Sequence, residues 1–548
     1  MSTQIMEEVT PMNRFFPLMT LAGVLLLAAP ARAATPGITG PTFNLTAQSA
    51  YLNQPDGNQV YSWGYGCSGV PAGFAPTLPN QACSTMQVPG PTLIVHEGDT
   101  VTVNLANGLP TPAGNTSILF ADFSVKPSGG SPGLLTQEAL HGGTVSYTFT
   151  ATTPGTHAYY SGTQGDLQIE MGLYGAIIVL PANAPAACNG GVHAQNVLAQ
   201  GTSSLAHPGF VETDFRLAHA AYDHPGSCYD REYLFQFAEM DLNIHRTALA
   251  QVTAIAAAAG QACVAGTPAC SLQVPTEPYH PNYFVINGRS MPDDMDPNFD
   301  SVYPHQPYNG NPHMHPGEQV LVRVIGQGRW QHPFHEHGNH VRILGRDGNL
   351  ITSKSTITYA GATTPAPALA GPLLFTTTTT PGQAFEGIFY WTGRGLNWDA
   401  YGHHNDPGAA ASAILSCTPD ANGYNTGAPL AINYFEWCQD HNKPLQAAPF
   451  GDVAGGGPAT LPDANILANG AWYSGSPYLG PDASVRATGP TSVQQPSNIQ
   501  ANPGNERGYA FMWHSHNERE ITTNNVFPGG MFMMMLVDSR EFVIDESF

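Results

Sequence analysis

Alternating apolar and polar residues mark two stretches at equivalent places in the chain. In PGPTLIVHEGDTVTVNLANGL, which begins at Pro89, every second residue over 101–105 is apolar. In HPGEQVLVRVIGQG, which begins at His315, residues 320–324 repeat that alternation. A period of two places successive side chains on opposite faces of a strand. Both stretches therefore predict half-buried β-strands, each entered through a turn of Gly and an acidic residue.

The regions after these two strands are also similar to each other. The first contains VSYTFTATTPGTHAYYSG and GLYGAIIVL, and the second contains AFEGIFYWTGRG, GYAFMWHSH and PGGMFMMMLV. Two copies of one β-unit indicate two β-sandwich domains. We predict an all-β chain with domains at 34–185 and 228–548, joined by a linker at 186–227. A third, degenerate sandwich within 186–300 is the alternative.

Two segments depart from the strand pattern of the second half. TALAQVTAIAAAAGQA, which begins at Thr247, predicts a short inserted helix. Residues 395–505 are rich in Gly, Pro, Asn and Ala and have little periodicity. Loops of this length are usually functional or cover a site, so we predict a long insertion over 395–505.

The first 33 residues resemble a targeting segment. MNRFFPLMTLAGVLLLAAPARA, which begins at Met12, has Arg14, an apolar run and the small-residue sequence Ala31-Arg32-Ala33. This order predicts a secretory signal peptide over 1–33, of bacterial type, and hence a periplasmic or secreted protein. No later apolar run is long enough to span a membrane, so we expect no membrane span.

Charge and cysteine content indicate which partners to exclude and whether disulfides form. The 548-residue chain has a net charge of −22, which repels phosphate backbones and argues against nucleic acid as a partner. The eight cysteines are an even number in a chain predicted to be exported, and this indicates disulfides. Many pairings remain open, although neighbours along the chain are the natural partners: Cys67–Cys83, Cys263–Cys270 and Cys417–Cys438. The linker is expected to carry one further bridge.

Two His-x-His pairs are the strongest chemical signal. HPFHEHGNH contains His335 and His337, and MWHSHNERE contains His514 and His516. Residues two apart on a strand point the same way, so each pair projects from one face. Two such pairs in one β-domain can face each other, and four neutral imidazoles suit a copper or zinc ion. The alternative is a polar strand face that binds nothing.

Methionines near the C-terminus also alternate. In GGMFMMM, Met531, Met533 and Met535 fall on one face and Met534 on the other. Thioethers suit Cu(I), but this stretch lies where a last core strand is expected. We therefore interpret the three methionines on one face as core packing.

Five segments taken in order resemble the multicopper oxidase family. They are PTLIVHEGDTVTVNL, PGTHAYYSG with GLYGAIIVLP, YFVINGRSMPD, HPFHEHGNHVRILG, and WHSHNERE with PGGM. The resemblance implies cupredoxin-like Greek-key β-sandwiches. It also implies a type 1 copper, held by Cys, two His and often Met, that passes electrons to a three-copper cluster. That cluster is held by four His-x-His pairs.

Only part of the family's ligand set matches this sequence. His335 with His337 matches the third pair, and His514 with His516 matches the fourth. The first pair is replaced by NTSILFADFSV, and the second by Tyr160-Ser161-Gly162. Half of the cluster histidines are therefore missing, and we do not expect a three-copper cluster.

The type 1 position is also changed. His332 matches the first type 1 histidine, but Ser515 stands in place of the cysteine and Glu520 in place of the second histidine. A serine cannot supply the thiolate of a blue copper site.

The sequence thus predicts an exported copper protein, an oxidoreductase with a reduced, mononuclear four-histidine site. The candidate metal ligands are His335, His337, His514, His516, Glu520 and His332, with Glu336 as an alternative carboxylate. Participation of a carboxylate would favour Mn or Fe over copper. The expected partners are the metal ion, a small-molecule substrate and further copies of the chain in a homo-oligomer. The alternatives are a non-catalytic periplasmic copper-sequestering protein and a bare cupredoxin scaffold.

Overall fold

The computed structural model describes residues 35–77, 80–190, 216–258, 263–264, 266–394, 417–427, 433–438, 475–478, 508–538, 540 and 544. These residues form an all-β fold, as predicted. The predicted signal peptide over 1–33 and most of the insertion over 395–505 lie outside them.

Strands up to residue 185 form the first β-sandwich. They are β1 (Gly37–Thr39), β2 (Thr42–Asn53), β3 (Gln59–Cys67), β4 (Phe74–Ala75), β5 (Leu93–His96), β6 (Thr100–Asn107), β7 (Lys126–Gly129), β8 (Ser131–Pro132), β9 (Gln137–Glu138), β10 (Thr144–Thr150), β11 (Gly155–Tyr160) and β12 (Tyr174–Leu180). Sheet 1 has the order β11-β12-β5-β1-β4, and sheet 2 has the order β3-β2-β6-β10-β7.

Strands after residue 228 form the second β-sandwich. They are β13 (Arg231–Met240), β14 (Tyr283–Ile286), β15 (His313–Met314), β16 (Gln319–Gly326), β17 (His332–Glu336), β18 (Val341–Arg346), β19 (Asn349–Leu350), β20 (Thr352–Ile357), β21 (Ala366–Leu369), β22 (Leu373–Leu374), β23 (Thr376–Thr379), β24 (Ala384–Tyr390), β25 (Gly475–Tyr478), β26 (Gly508–Ser515) and β27 (Phe532–Asp538). Sheet 3 has the order β14-β13-β16-β24-β18-β19, with β22 on β18. Sheet 4 has the order β15-β27-β26-β17-β23, with β25 on β26.

Helices are few among the described residues. The α-helices are α1 (Gly165–Gln168) and α2 (Leu242–Ala258), and single 3-10 turns lie at Thr111–Ala113, Ala186–Cys188, Pro268–Cys270 and Asp293–Met295. Helix α2 confirms the predicted inserted helix but begins five residues earlier than Thr247. The Asp241 carboxylate accepts the backbone N–H of Asn243 at 2.9 Å, as an N-cap residue does. None of the helices in the described part combines the length and apolar character needed to cross a membrane.

Each sandwich encloses its own apolar core. Between sheets 1 and 2 lie Leu93, Val103 and other side chains with almost no exposed surface. Between sheets 3 and 4 lie Val322, Phe334 and Trp513, also buried. The prediction that three methionines pack in the core is confirmed. Met531, Met533 and Met535 are 0% exposed and belong to this second core.

The two alternating strands differ in burial. Strand β6 alternates buried and half-exposed residues, as predicted, whereas β16 is buried on both faces after Gln319. The second face of β16 is covered by sheet 1, because Ile325 of β16 packs with Ile94 and Ile178. Sheets 1 and 3 therefore meet face to face, and the half-buried prediction for β16 is wrong because the outward face of sheet 3 is covered.

Four disulfides account for the eight cysteines. The three pairings of neighbours are confirmed, and the linker cysteine pairs with Cys228: Cys67–Cys83, Cys188–Cys228, Cys263–Cys270 and Cys417–Cys438. The domain boundaries at 185, 227 and 395–505 stay predictions.

Candidate metal centre

The two His-x-His pairs meet on neighbouring strands of sheet 4. Strands β17 and β26 pair antiparallel, and His335 lies directly opposite His514. The alternation of the strands explains the placement: Phe334 and Trp513 point into the second core and are 0% exposed, so the flanking histidines point to the other face. The pairing that the sequence predicts is therefore present in the structure.

All four imidazoles converge. Ring centroids of His335 lie 4.8 Å from those of His337 and His516 and 5.5 Å from that of His514. The rings of His514 and His337 are 5.1 Å apart, and those of His514 and His516 are 5.7 Å apart. The ring nitrogens available for a metal in His335, His337 and His514 lie within 4.8 Å of one another. His516 contacts the same group and is exposed.

Neighbouring oxygens determine which ring nitrogens face the centre. Nδ1 of His514 is 2.7 Å from the carbonyl oxygen of Ser515. A carbonyl oxygen only accepts, so this Nδ1 carries the proton and Nε2 presents its lone pair. Nε2 lies 3.2 Å from Nε2 of His337. Nδ1 of His335 is held by the hydroxyl of Thr376 at 2.5 Å, and contacts of this kind orient metal-binding histidines.

The electrostatics keep His335 and His514 neutral. Burial, followed by the positive potential of His337, His514 and His516, lowers the pKa of His335 to about 3. Burial also lowers the pKa of His514. Neutral imidazoles are the form that binds a metal ion, so the donor set fits a soft-to-borderline cation such as copper.

The type 1 position holds a different arrangement. The Ser515 hydroxyl donates to Oε2 of Glu520 at 2.5 Å, and the same oxygen accepts from Nδ1 of His332 at 2.9 Å. The other ring nitrogen of His332 is 2.9 Å from Oε2 of Glu239. Burial lowers the pKa of His332, but the hydrogen bonds and charges of both glutamates outweigh it and raise the pKa to about 9.

His332 is therefore an imidazolium between two carboxylates at neutral pH. Both of its nitrogens donate, so neither has a lone pair for a metal. The residues at this position do not fit a type 1 copper, which also needs a thiolate. Among the described residues, the structure groups His335, His337 and His514 as metal donors and places His332 and Glu520 in this separate cluster.

Neither candidate carboxylate joins the histidine group. Glu336 lies between His335 and His337 in sequence, so it points to the opposite face, where it is 0% exposed. Neither of its carboxylate oxygens has a hydrogen-bond partner among the described residues. Burial raises its pKa well above the ordinary range, so it is a neutral acid in the second core.

The segments that replace the missing pairs are also neighbours. Leu119 of NTSILFADFSV and Tyr160 form an isolated antiparallel bridge. His157 is nearby in sequence, but its Nδ1 is bound to Asp122 at 2.9 Å. Sequence reasoning missed Glu239 and Thr376, which lie on other strands and belong to no local motif.

The comparisons with known proteins agree with the resemblance in part of the chain. Residues 80–184 match the family model described as multicopper oxidase. No curated protein matches the chain.

Solved structures give three further likenesses. The multicopper oxidase mgLAC shares 14% identity over 90% of this chain and 86% of its own, with a TM-score of 0.40. Blue copper oxidase from Nitrosomonas europaea shares 13% identity over 90% and 85%, with a TM-score of 0.39. Copper nitrite reductase from Nitrosomonas europaea shares 20% identity over 64% and 84%, with a TM-score of 0.35. Residues 80–184 are thus similar to a multicopper oxidase domain.

Proposed function

We propose that this protein is a copper-dependent oxidoreductase that uses one metal centre, held by His335, His337, His514 and His516. The observation that supports it most is the convergence of four imidazole rings at centroid distances of 4.8 to 5.7 Å. The centre takes the place of the family's full set of type 1 and three-copper sites. The residues at the type 1 position are bound to one another instead.

The donor set favours copper over Mn or Fe. The grouped donors are imidazole nitrogens. Of the candidate carboxylates, Glu336 faces the core and Glu520 bonds Ser515. Harder ions prefer carboxylate oxygens, whereas imidazole suits copper. Copper bound here would supply a one-electron couple between Cu(II) and Cu(I).

The protein's own groups hold the site in place. The Ser515 carbonyl and the Thr376 hydroxyl fix the rings of His514 and His335, so these rings need little reorganisation on binding. His335 is 1% and His337 6% exposed, which keeps water from the inner side. The exposed ring of His516 leaves one open edge, where a small reducing substrate can approach.

The location of the protein belongs to the same proposal. Four disulfides are typical of an oxidising compartment, which supports export to the periplasm or the medium. We assign residues 1–33 to a signal peptide and keep the domain boundaries and a homo-oligomeric state as parts of the proposal.

Oxidation assays on copper-loaded protein test the activity. We expect oxygen consumption with small phenols or other one-electron reductants, and loss of both copper and activity in a His335→Ala/His514→Ala variant. A His332→Gln variant is the control and should keep its copper, because His332 is not a ligand in this account. Tight copper binding with no turnover on any reductant would overturn the oxidoreductase proposal and favour a sequestering protein.

A further inference from the structure

A phenylalanine side chain stands against one ligand of the proposed metal centre. The ring of Phe375 lies 5.5 Å from that of His335, centroid to centroid, and meets it at 87°. The same ring lies 5.0 Å from that of His340, at 77°. Both are edge-to-face contacts, an arrangement that aromatic rings prefer. Because His335 points away from the second core, the phenyl group of Phe375 lies on the same outer face of sheet 4.

Strand pairing determines where Phe375 lies. It directly precedes β23, and its carbonyl oxygen accepts the N–H of Glu336 at 2.9 Å. The next residue, Thr376, lies opposite His335 in the ladder and bonds Nδ1 of that histidine through its hydroxyl. Two consecutive residues therefore contact the same metal-binding histidine, one by its ring and one by its hydroxyl. The place of Phe375 beside His335 follows from the pairing of β17 with β23.

The phenyl group lies at the rim of the centre. Phe375 is 44% exposed, whereas His335 beside it is 1% exposed. Sheet 4 has the order β27-β26-β17-β23, so the two strands that carry the histidines lie between β23 and β27. On the β27 side, the ring of half-buried Phe532 lies 6.2 Å from that of His514. A phenylalanine thus flanks the ligands on each side, and a molecule that approaches from the side of His335 meets Phe375 first.

We infer that Phe375 sets the size of the ligand that reaches a metal ion held by the four histidines. The inference rests on the proposed function for the metal and adds a specificity-determining residue to the same site. Cu(II) favours tetragonal surroundings, so a further small ligand can bind beside four imidazoles. A phenyl group at the rim leaves room for a ligand of a few atoms and clashes with one that carries a ring. Reductants that give up an electron at the exposed edge of His516 need not bind the metal and are not restricted in this way.

Formate and benzoate test the inference, because they share a carboxylate group and differ by a phenyl ring. Each is titrated into Cu(II)-loaded full-length protein, and binding is followed by electron paramagnetic resonance. We expect wild-type protein to bind benzoate at least about 10-fold more weakly than formate. Phe375→Ala opens a space of the size of a phenyl group, in which the ring of benzoate is buried. Benzoate affinity should then rise by about 10- to 100-fold, and formate affinity should stay within about 2-fold.

Leu373→Ala is the matched control, because Leu373 is also exposed, at 54%, and lies two residues earlier, on β22. It should leave the ratio of the two affinities unchanged, whereas Phe375→Leu should give a ratio between those of wild type and Phe375→Ala. Copper-loaded protein whose ratio is unchanged in Phe375→Ala, or changes equally in Leu373→Ala, overturns the inference alone. Wild-type protein that holds no copper overturns the proposed function and this inference with it, so copper content is measured on every sample.

Discussion

At the scale of single residues, the most unusual feature is a charged imidazole at the position of a copper ligand. His332 is 0% exposed and lies between the carboxylates of Glu239 and Glu520. The same side chain that would bind copper beside a thiolate here binds two anions. With Ser515 and Glu520 in place of the expected ligands, His332 is held as a cation by carboxylates.

This cluster predicts a loss of stability at alkaline pH. The pKa of His332 is raised from 6.5 to about 9, so its contribution is complete below pH 6.5 and disappears as the pH rises through about 9. The shift corresponds to about 3 kcal/mol. Denaturant unfolding of wild-type protein and a His332→Gln variant should show the wild-type advantage shrinking by this order between pH 6.5 and 10. A difference between the two proteins that is independent of pH contradicts the assignment.

Replacing Glu336 is predicted to stabilise the protein. Glu336 is a buried acid without a hydrogen-bond partner among the described residues, and burying such a group costs about 1–3 kcal/mol. Glu336→Leu should therefore raise the free energy of unfolding by an amount of this order and leave copper binding unchanged. Glu518→Leu, at an exposed position, is the control and should change stability by about 0.5 kcal/mol or less. Destabilisation by Glu336→Leu would mean that the carboxyl group has a partner that matters.

The residue assignments that sequence could reach follow from strand periodicity. Residues 335 and 337, and likewise 514 and 516, differ by two and share a face. Residues 332 and 335 differ by three, so the same rule already separates His332 from the pair. Glu520 lies beyond the end of β26, in a turn where its N–H bonds the carbonyl of Asn517 at 2.8 Å. Periodicity does not apply there, and spacing alone could not tell which face its carboxylate would reach.

At the scale of secondary-structure elements, the proposed metal centre depends on the pairing of β17 with β26. Trp513 stabilises that pairing from the core side, because its buried indole N–H donates to the carbonyl of His337 at 3.1 Å. The packing of one face thus sets the backbone position of a ligand on the other. His335 and His514 lie within the two strands, and His337 and His516 follow directly after the strand ends.

Trp513→Phe tests this link. The variant loses the hydrogen bond to His337 and part of the core contact, so we expect a loss of stability of about 1–3 kcal/mol. We also expect copper affinity to fall by about 10- to 100-fold, because groups that orient ligands have effects of this size. Both quantities follow from denaturant unfolding and copper competition titration.

Trp63→Phe is the matched control, since Trp63 is also buried and its indole donates to Tyr61 at 3.1 Å in the first sandwich. It should lose similar stability and keep wild-type copper affinity. If the two variants bind copper with equal affinity, Trp513 does not help to position the metal centre.

The elements were predicted best where one face is exposed. Strand β6 follows its alternation because sheet 2 has an open face, whereas β16 has the same alternating pattern but is covered on both sides. The residues that cover it, such as Ile94 and Ile178, come from a sheet more than a hundred residues away in sequence. No local pattern contains that information.

At the scale of the whole molecule, hydrogen bonds from a buried ionic network of sheet 3, as well as apolar packing, join sheet 3 to sheet 1. Arg323 of β16 donates to Glu232 at 2.8 Å and to the hydroxyl of Thr156, on β11 of sheet 1, at 3.1 Å. Glu386 lies 3.9 Å from the same guanidinium. All three charged groups are fully buried, and the nearby carboxylates raise the pKa of Arg323 although burial opposes them.

Removing this cation should weaken the contact strongly. Arg323→Met leaves Glu232 and Glu386 buried without their counter-ion, and breaking such a network costs about 3–5 kcal/mol. Arg346→Met, at a half-buried position on β18, should cost far less. Thermal unfolding of the two variants beside wild type measures the difference. An Arg323→Met protein as stable as the Arg346→Met protein would contradict a role for this network in joining the sheets.

The spectrum of the Cu(II)-loaded protein tests the central claim most directly. With all eight cysteines in disulfides and Ser515 at the type 1 position, no thiolate is available to bind copper. We predict about one copper per chain, an electron paramagnetic resonance signal with nitrogen couplings from imidazoles, and no intense blue thiolate band. The bound copper and its signal should be lost together in a His514→Ala/His516→Ala variant. An intense blue band, several coppers per chain, or a signal that survives this variant would contradict a mononuclear four-histidine centre.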